Sequence, residues 1–321
     1  MWDTPGMQGR SNHHASASST AERPKVIYVM GAGRSGSTIL GVALGNCENV
    51  FFAGELNQWL ARSGIPPLGD PERERFWAGV RGDMAVEPEL FGGATSCLER
   101  SSALFHLGKW RARRLLRARY RRVAEDLYRT ITCAAGVTHI VDTSHYPLRA
   151  REVQALDGIE TYLLFLVRDP QGTVASLGRD DVPERRFGVW AANAYLWLTY
   201  LLSVRVFLAH PRARRLLVRH EDFLADPEAV LRAILQQAGS SALPPDLQTL
   251  RSGVPFHGNR LIKLEKMAVE PHASTPADRS RVTALLQLPW AAVLALLRPA
   301  ASASASYERP RVDLESADVQ V

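Results

Sequence analysis

Residues 26–44, V-I-Y-V-M-G-A-G-R-S-G-S-T-I-L-G-V-A-L, constrain this chain more than any other stretch. Val26, Ile27, Tyr28 and Val29 form a short run of β-branched and aromatic residues, the pattern of a strand covered on both faces. Gly31, Gly33 and Gly36 let the backbone turn tightly and come close to a ligand. Ser37 and Thr38 then open a helix whose free N–H groups and positive dipole end suit an anion. From Gly31 to Thr38 the spacing is G-x-x-x-x-G-S-T, that of a phosphate-binding loop with Ser37 where a lysine belongs. That lysine reaches the β- and γ-phosphates of a nucleoside triphosphate. Its absence argues against an ATPase, a GTPase or an ordinary kinase, and for a ligand that is phosphate-like but different.

Downstream, short apolar runs alternate with helical patterns. Residues 39–46 continue the first helix, and Val50, Phe51, Phe52 and Ala53 make a second strand closed by Gly54-Glu55. Residues 64–70 read as loop and 72–100 as mixed helix and loop. Residues 109–122, K-W-R-A-R-R-L-L-R-A-R-Y-R-R, form a very basic helix that continues through Val123, Leu127 and Ile131 at helical spacing. Residues 138–143 are a third strand with Asp142 at its C-terminal end. Residues 161–167 are a fourth, ending in Arg168-Asp169-Pro170 and followed by a helix at 171–177. Residues 215–219 are a fifth, and 227–238 are an amphipathic helix with an acidic first turn, closed by Gly239. This alternation predicts an α/β protein, three-layer α/β/α with a central parallel sheet. Ligands of such sheets bind outside the carboxyl ends of the strands. Gly33, Arg34, Glu55, Asp142, Arg168 and Glu221 are therefore expected in one crevice.

A chain of 321 residues suits one large domain with insertions. Residues 25–300 are expected to form it, with a helical insertion at about 56–135, between polar, disordered tails at 1–24 and 301–321. The net charge of +6 fits an anionic ligand or surface. Much of it is arginine, which favours planar, bidentate contacts to phosphate and sulfate. Cys47, Cys97 and Cys133 are widely spaced without a C-x-x-C pair, which fits a reducing compartment and argues against a disulfide framework or a zinc site. The longest apolar stretch, residues 191–209, contains Asn193 and Arg205 and reads as a core helix rather than a membrane span.

Two further pieces carry chemistry. Arg168 stands at a strand end with Ser176 eight residues on, in L-V-R-D-P-Q-G-T-V-A-S, and the pair can grip a second phosphate group. Residues 256–263, F-H-G-N-R-L-I-K, are a basic loop able to close over the same anion. In this order and spacing the pieces resemble the sulfotransferases that use 3′-phosphoadenosine 5′-phosphosulfate (PAPS), and among them the bacterial branch with an arginine in the first loop. Gly33, Arg34, Ser35, Gly36, Ser37 and Thr38 look like that family's 5′-phosphosulfate loop. Arg168 and Ser176 look like its 3′-phosphate site, and Gly258, Asn259 and Arg260 like its late cofactor loop. Val218-Arg219-His220-Glu221-Asp222-Phe223 is similar to the family's R-Y-E-D-L segment, with His220 in place of tyrosine.

The resemblance implies a P-loop NTPase-like sulfotransferase fold, PAPS as co-substrate and no metal. It explains the missing lysine, since PAPS has two separate anionic ends and no γ-phosphate. Arg34 would stabilise charge as the sulfonate leaves its phosphate, and electrostatic stabilisation of this kind is usually the largest catalytic term. Glu55, in F-F-A-G-E-L, is the first choice of base for an acceptor hydroxyl, or less readily an amine. His145, in V-D-T-S-H-Y-P, is the rival, in a segment where relatives often carry D-x-S-K. A small-molecule kinase and a non-catalytic protein that binds a nucleotide or anion are the alternative readings. The expected acceptor is an unidentified hydroxyl compound such as a glycan, glycolipid or small metabolite, met by residues 56–135 and a helix at 185–210. Trp59, Phe76, Trp77, Trp110, Trp190 and Trp197 are candidates to line its pocket, although burial preferences favour core positions for such residues. The expected partners exclude nucleic acid. The expected location is cytoplasmic, with peripheral membrane contact through the basic helix or the apolar run at 285–297 as a further reading.

Overall fold

Val26 to Met30 are each at most 1% exposed in the computed structural model, which describes residues 23–67, 70–178, 188–269 and 280–297. They belong to β1 (Lys25–Gly31), the centre of a five-stranded sheet. The other strands are β2 (Val50–Gly54), β3 (His139–His145), β4 (Glu160–Val167) and β5 (Arg215–Arg219). The order is β2-β3-β1-β4-β5 and every pairing is parallel. The chain fills one side of β1 and then the other, so the strand order reverses beside β1, where such sheets open a ligand crevice. Both sequence-based expectations, parallel sheet and three layers, hold.

Side chains alternate across β1. Ile27 and Val29 face α1 (Ser37–Gly45), α9 (His220–Ala225) and α10 (Pro227–Gln237), whose Leu40, Phe223, Leu231 and Ile234 are buried with them. Val26, Tyr28 and Met30 face the opposite layer. It contains α2 (Asn57–Ala61), α3 (Pro71–Gly82), α4 (Ser96–Glu99), α5 (Leu107–Ala135), α6 (Pro147–Val153), α8 (Val189–Ala209) and α11 (Arg281–Leu296). The helix α7 (Pro170–Leu177) follows β4, and a two-stranded antiparallel pair, β6 (Leu250–Arg251) and β7 (Lys266–Met267), lies late in the chain. Asp-Pro dipeptides start three helices: Asp70, Asp169 and Asp226 accept first-turn amides of α3, α7 and α10, and the proline that follows sits where no amide is needed.

The helix α8 is long and apolar enough to cross a membrane. Its Ala192, Leu196, Tyr200 and Phe207 nevertheless pack into the layer over β1, as expected of a core helix. Trp59 and Trp77 are fully buried in the same layer, so they do not line a pocket. Trp110, Trp190 and Trp197 are 58%, 70% and 39% exposed. The expected tail at 301–321, nearly all of the tail at 1–24, and the first residues of the helix expected at 185–210 lie outside the described residues. Pro24 is described, and its carbonyl accepts the Glu160 amide.

Candidate active site

The turn between β1 and α1 holds the glycine loop at the carboxyl edge of the sheet. Gly36 has φ of 89°, and a Cβ there would run into the His220 ring at the start of α9. Position 36 is thus closed to other residues on two grounds. Arg34 takes φ of 70°, a left-handed conformation that non-glycine residues seldom adopt and that recurs at ligand-binding turns. Ser35 is buried and its hydroxyl donates to the Ala32 carbonyl, 2.8 Å. The helix α1 has no side-chain N-cap and no acidic residue in its first turn. Its first amides, with the Ser37 and Thr38 hydroxyls, form a donor set that fits an anion.

Arg168 leaves the end of β4 and donates from Nη1 to the Arg34 carbonyl, 3.1 Å. The two sites expected for separate anionic groups therefore adjoin. The guanidinium lies along Gly172, where a Cβ would approach Nε to 3.3 Å. Ser176 is four residues on from Gly172 in α7, hence on the same helix face, and is half-buried. Tyr195, on α8, accepts the Gly33 amide through its hydroxyl at 2.9 Å. Glu221 accepts the Asp169 amide at 2.7 Å and so fixes the turn that carries Arg168.

The late loop comes to the same edge. Gly258 packs beside Thr38, and Asn259 and Arg260 are exposed. The Asn259 side chain accepts the Arg260 amide at 2.6 Å and starts a 3-10 turn over Arg260–Lys263. Pairing with β2 holds the loop in place: Phe256 donates its amide to the Ala53 carbonyl, and Glu55 donates its amide to the His257 carbonyl, 2.8 Å. Gly54, with φ of 77°, allows this approach, because a Cβ would strike the His257 carbonyl.

Glu55 and His257 meet through their side chains as well, Nδ1 to Oε2 at 3.0 Å. A carboxylate only accepts, so the Nδ1 proton lies between them. Both are partly buried, at 20% and 25% side-chain exposure. Glu55 does not cap the next helix; the residue before α2 is Leu56, with no side-chain cap.

Asp142 departs from the expected crevice. It is fully buried and accepts from Tyr128 at 2.6 Å, from Arg149 at 3.2 Å, and from Ser144. Ser144 in turn accepts the Asn57 amide, 3.0 Å, and so braces the turn after Glu55. The D-T-S segment is support rather than site, and the reason is the inward pull of Arg149, itself 2% exposed. His145 follows with φ of 53°, half-buried, its ring 4.4 Å from that of Tyr146. The structure brings the glycine loop, Arg168, Glu55 and the late loop together. The sequence had given no reason to single out Tyr195 or the His257 ring. Tyr195 sits inside an apolar helix, and the sign of His257 was only its place beside Gly258-Asn259-Arg260.

A family model described as "Sulfotransferase family" matches residues 24–244. No curated protein matches the chain. The solved sulfotransferase domain from the curacin biosynthetic pathway is 16% identical, covering 84% of this chain and 98% of its own, with a TM-score of 0.48. The sulfotransferase domain of the Synechococcus PCC 7002 olefin synthase is 18% identical, covering 84% and 95%, with a TM-score of 0.46. A sulfotransferase from Alicyclobacillus acidocaldarius is 15% identical, covering 85% and 92%, with a TM-score of 0.39.

Proposed function

The chain belongs to the sulfotransferase family, and on that premise we propose that it moves the sulfonate of PAPS onto an acceptor hydroxyl, in preference to an amine. This donor, when bound, supplies an activated sulfonate on a phosphate leaving group and a second phosphate at its far end. The observation that carries the reading is the Arg168 bond to the Arg34 carbonyl, which makes two anion sites neighbours at one sheet edge.

In this reading the uncapped start of α1, with Gly33, Ser35, Gly36, Ser37 and Thr38, holds the 5′-phosphate. Arg34 neutralises charge developing on the leaving oxygen. Arg168 and Ser176 take the 3′-phosphate, and Gly258, Asn259 and Arg260 close over the donor from the late loop. Glu55, aligned by His257, accepts the hydroxyl proton while the acceptor O–S bond forms and the S–O bond to phosphate breaks. We assign the acceptor side to residues 56–135 and α8, and the acceptor class to hydroxyl-bearing glycans, glycolipids or small metabolites. The free thiols of Cys47, Cys97 and Cys133 support a cytoplasmic setting.

The test is calorimetric titration with PAPS, followed by an acceptor screen with labelled donor read by mass spectrometry. Binding is expected to saturate, and Arg168→Ala is expected to weaken it at least tenfold, as loss of a charge-assisted contact does. A chain that binds no PAPS, or an Arg168→Ala variant that binds it as the parent does, overturns the reading.

A further inference from the structure

The first four turns of α5 form a basic surface set apart from the donor site, beside the start of β4 rather than its end. Residues 109–122 contain eight basic and no acidic residues. At 3.6 residues per turn, Trp110, Arg111, Arg114, Leu115, Arg117, Ala118, Arg121 and Arg122 fall within about half of the helix circumference. Arg113 points inward and is 6% exposed. Arg117 and Arg121 are already engaged by the buried carboxylate of Glu152, at 3.2 and 2.8 Å. Arg114 and Arg122 are exposed and make no ion pair among the described residues. Both line an open cavity of about 390 Å³ between α5 and residues 155–157, with Arg117, Arg121, Glu125 and the exposed Asp157 also on its wall, four arginines to two carboxylates. Glu125 is occupied by Arg129 and by the Gly158 amide. Residues 155–157 lead into the start of β4, the opposite end of that strand from Arg168.

Apolar side chains stand in the same surface: Trp110 and Leu115 are 58% and 69% exposed, and Phe105, just before the helix, is 73% exposed. Trp110 donates its indole N–H to the Leu104 carbonyl, 3.3 Å, yet leaves more than half of its surface in water, which a purely solvated face does not favour. A face lying at a lipid headgroup boundary does: aromatic and leucine side chains enter the acyl edge while arginines meet phosphates. We propose that this face of α5 docks on an anionic phospholipid membrane, with one headgroup phosphate seated in the cavity between Arg114 and Arg122. The docking is separate from donor binding and would hold the enzyme at a surface while leaving the glycine loop unchanged.

The experiment is flotation of the full chain with vesicles of phosphatidylcholine alone and of phosphatidylcholine with one quarter phosphatidylglycerol. Binding is expected only to the anionic vesicles, and to collapse between 0.1 and 0.5 M salt, as screened charges do. The double variant Arg114→Gln/Arg122→Gln is expected to lose about 30-fold in partitioning, roughly fivefold per charge near the surface. It should melt and bind PAPS as the parent does. Trp110→Ala is expected to weaken partitioning with the salt slope unchanged. Equal binding to both vesicles, or full binding by the double variant, overturns the proposal. So does tighter binding to single-stranded RNA than to vesicles, or binding of glycerol phosphate in solution without vesicle binding. Loss of vesicle binding accompanied by loss of the folded melt in the double variant also counts against it.

Discussion

Arg34 shows how much local chemistry one position can carry. A left-handed φ of 70° is unfavourable for an arginine, and the surrounding contacts hold it there: Arg168 pulls on its carbonyl, and Tyr195 takes the amide of Gly33 before it. Glu55 is fixed by a comparable double contact, one through its backbone amide and one through its carboxylate, both to His257. A general base must face the acceptor in one geometry, and these contacts fix where the carboxylate lies. Glu55→Gln is therefore expected to keep PAPS binding and to lower kcat by about 100- to 10,000-fold, the usual worth of general base catalysis. His257→Ala should lower kcat less and leave PAPS binding as in the parent. His257→Gln should restore part of the rate, because its amide can still donate to the carboxylate. Initial rates and PAPS titrations of the three variants check this, and an active Glu55→Gln enzyme would transfer the base role to His145.

Elements, more than single residues, separate what could be read in advance from what could not. The strands β1 to β5 were legible because each is a short apolar run closed by glycine or charge, and the glycine loop because its spacing is local. The partner of Glu55 was not, since the late loop is held beside β2 by long-range backbone pairing and by contacts from α3. Trp77 donates to the Val254 carbonyl at 2.8 Å and stacks edge-on against Phe256, and buried Arg73 reaches the Gly253 and Ile262 carbonyls. None of this shows in the helical pattern of α3, where an arginine reads as a surface residue. The same blindness applies to the layer between α4, α5, α6 and β3. There Arg149 donates to Glu99 at 2.8 Å and to Tyr120 at 2.6 Å, as well as to Asp142. Burial pushes the Glu99 carboxyl up, and the Arg149 charge and Tyr120 oppose it. Arg149→Met would leave two carboxylates without their cation in an apolar layer. Breaking such a pair costs about 3–5 kcal/mol, so the urea midpoint should fall steeply. A loss well under 1 kcal/mol would mean that water enters the layer and the network is not dry.

Across the whole molecule, buried titratable groups outside the site set the pH range in which the fold is stable. Burial pushes the Cys47 thiol up to about 12. Tyr162 also rises to about 12, through burial first and then the neighbouring Glu160. Tyr28, Tyr120 and Tyr128 are held well above the usual phenol value, chiefly by burial. In the unfolded chain a thiol and these phenols ionise at about 8.5 and 10. The folded state keeps protons that the unfolded state gives up, so the stabilisation is complete below those values and drains away as pH climbs toward the folded ones. His210 works from the other side. Burial lowers it, and its Nε2 meets the Thr161 carbonyl at 2.8 Å. It stays neutral in the fold while the unfolded chain gains a proton below about 6.5, so stability falls as pH drops through that value toward the folded one. The urea midpoint is expected to be highest between about pH 7 and 8.5, with a shallow acid limb and a steep alkaline limb. Cys47→Ala should soften the start of the alkaline limb, where the Cys97 thiol, also raised by burial, still contributes before the phenols, and His210→Asn should flatten the acid limb. Both variants also lose native contacts, so the shape of the curve, rather than its height, is the readout. A parent midpoint that stays level from pH 7 to 11 would show that these groups are open to solvent in the native state, and with them the core between α5 and β1.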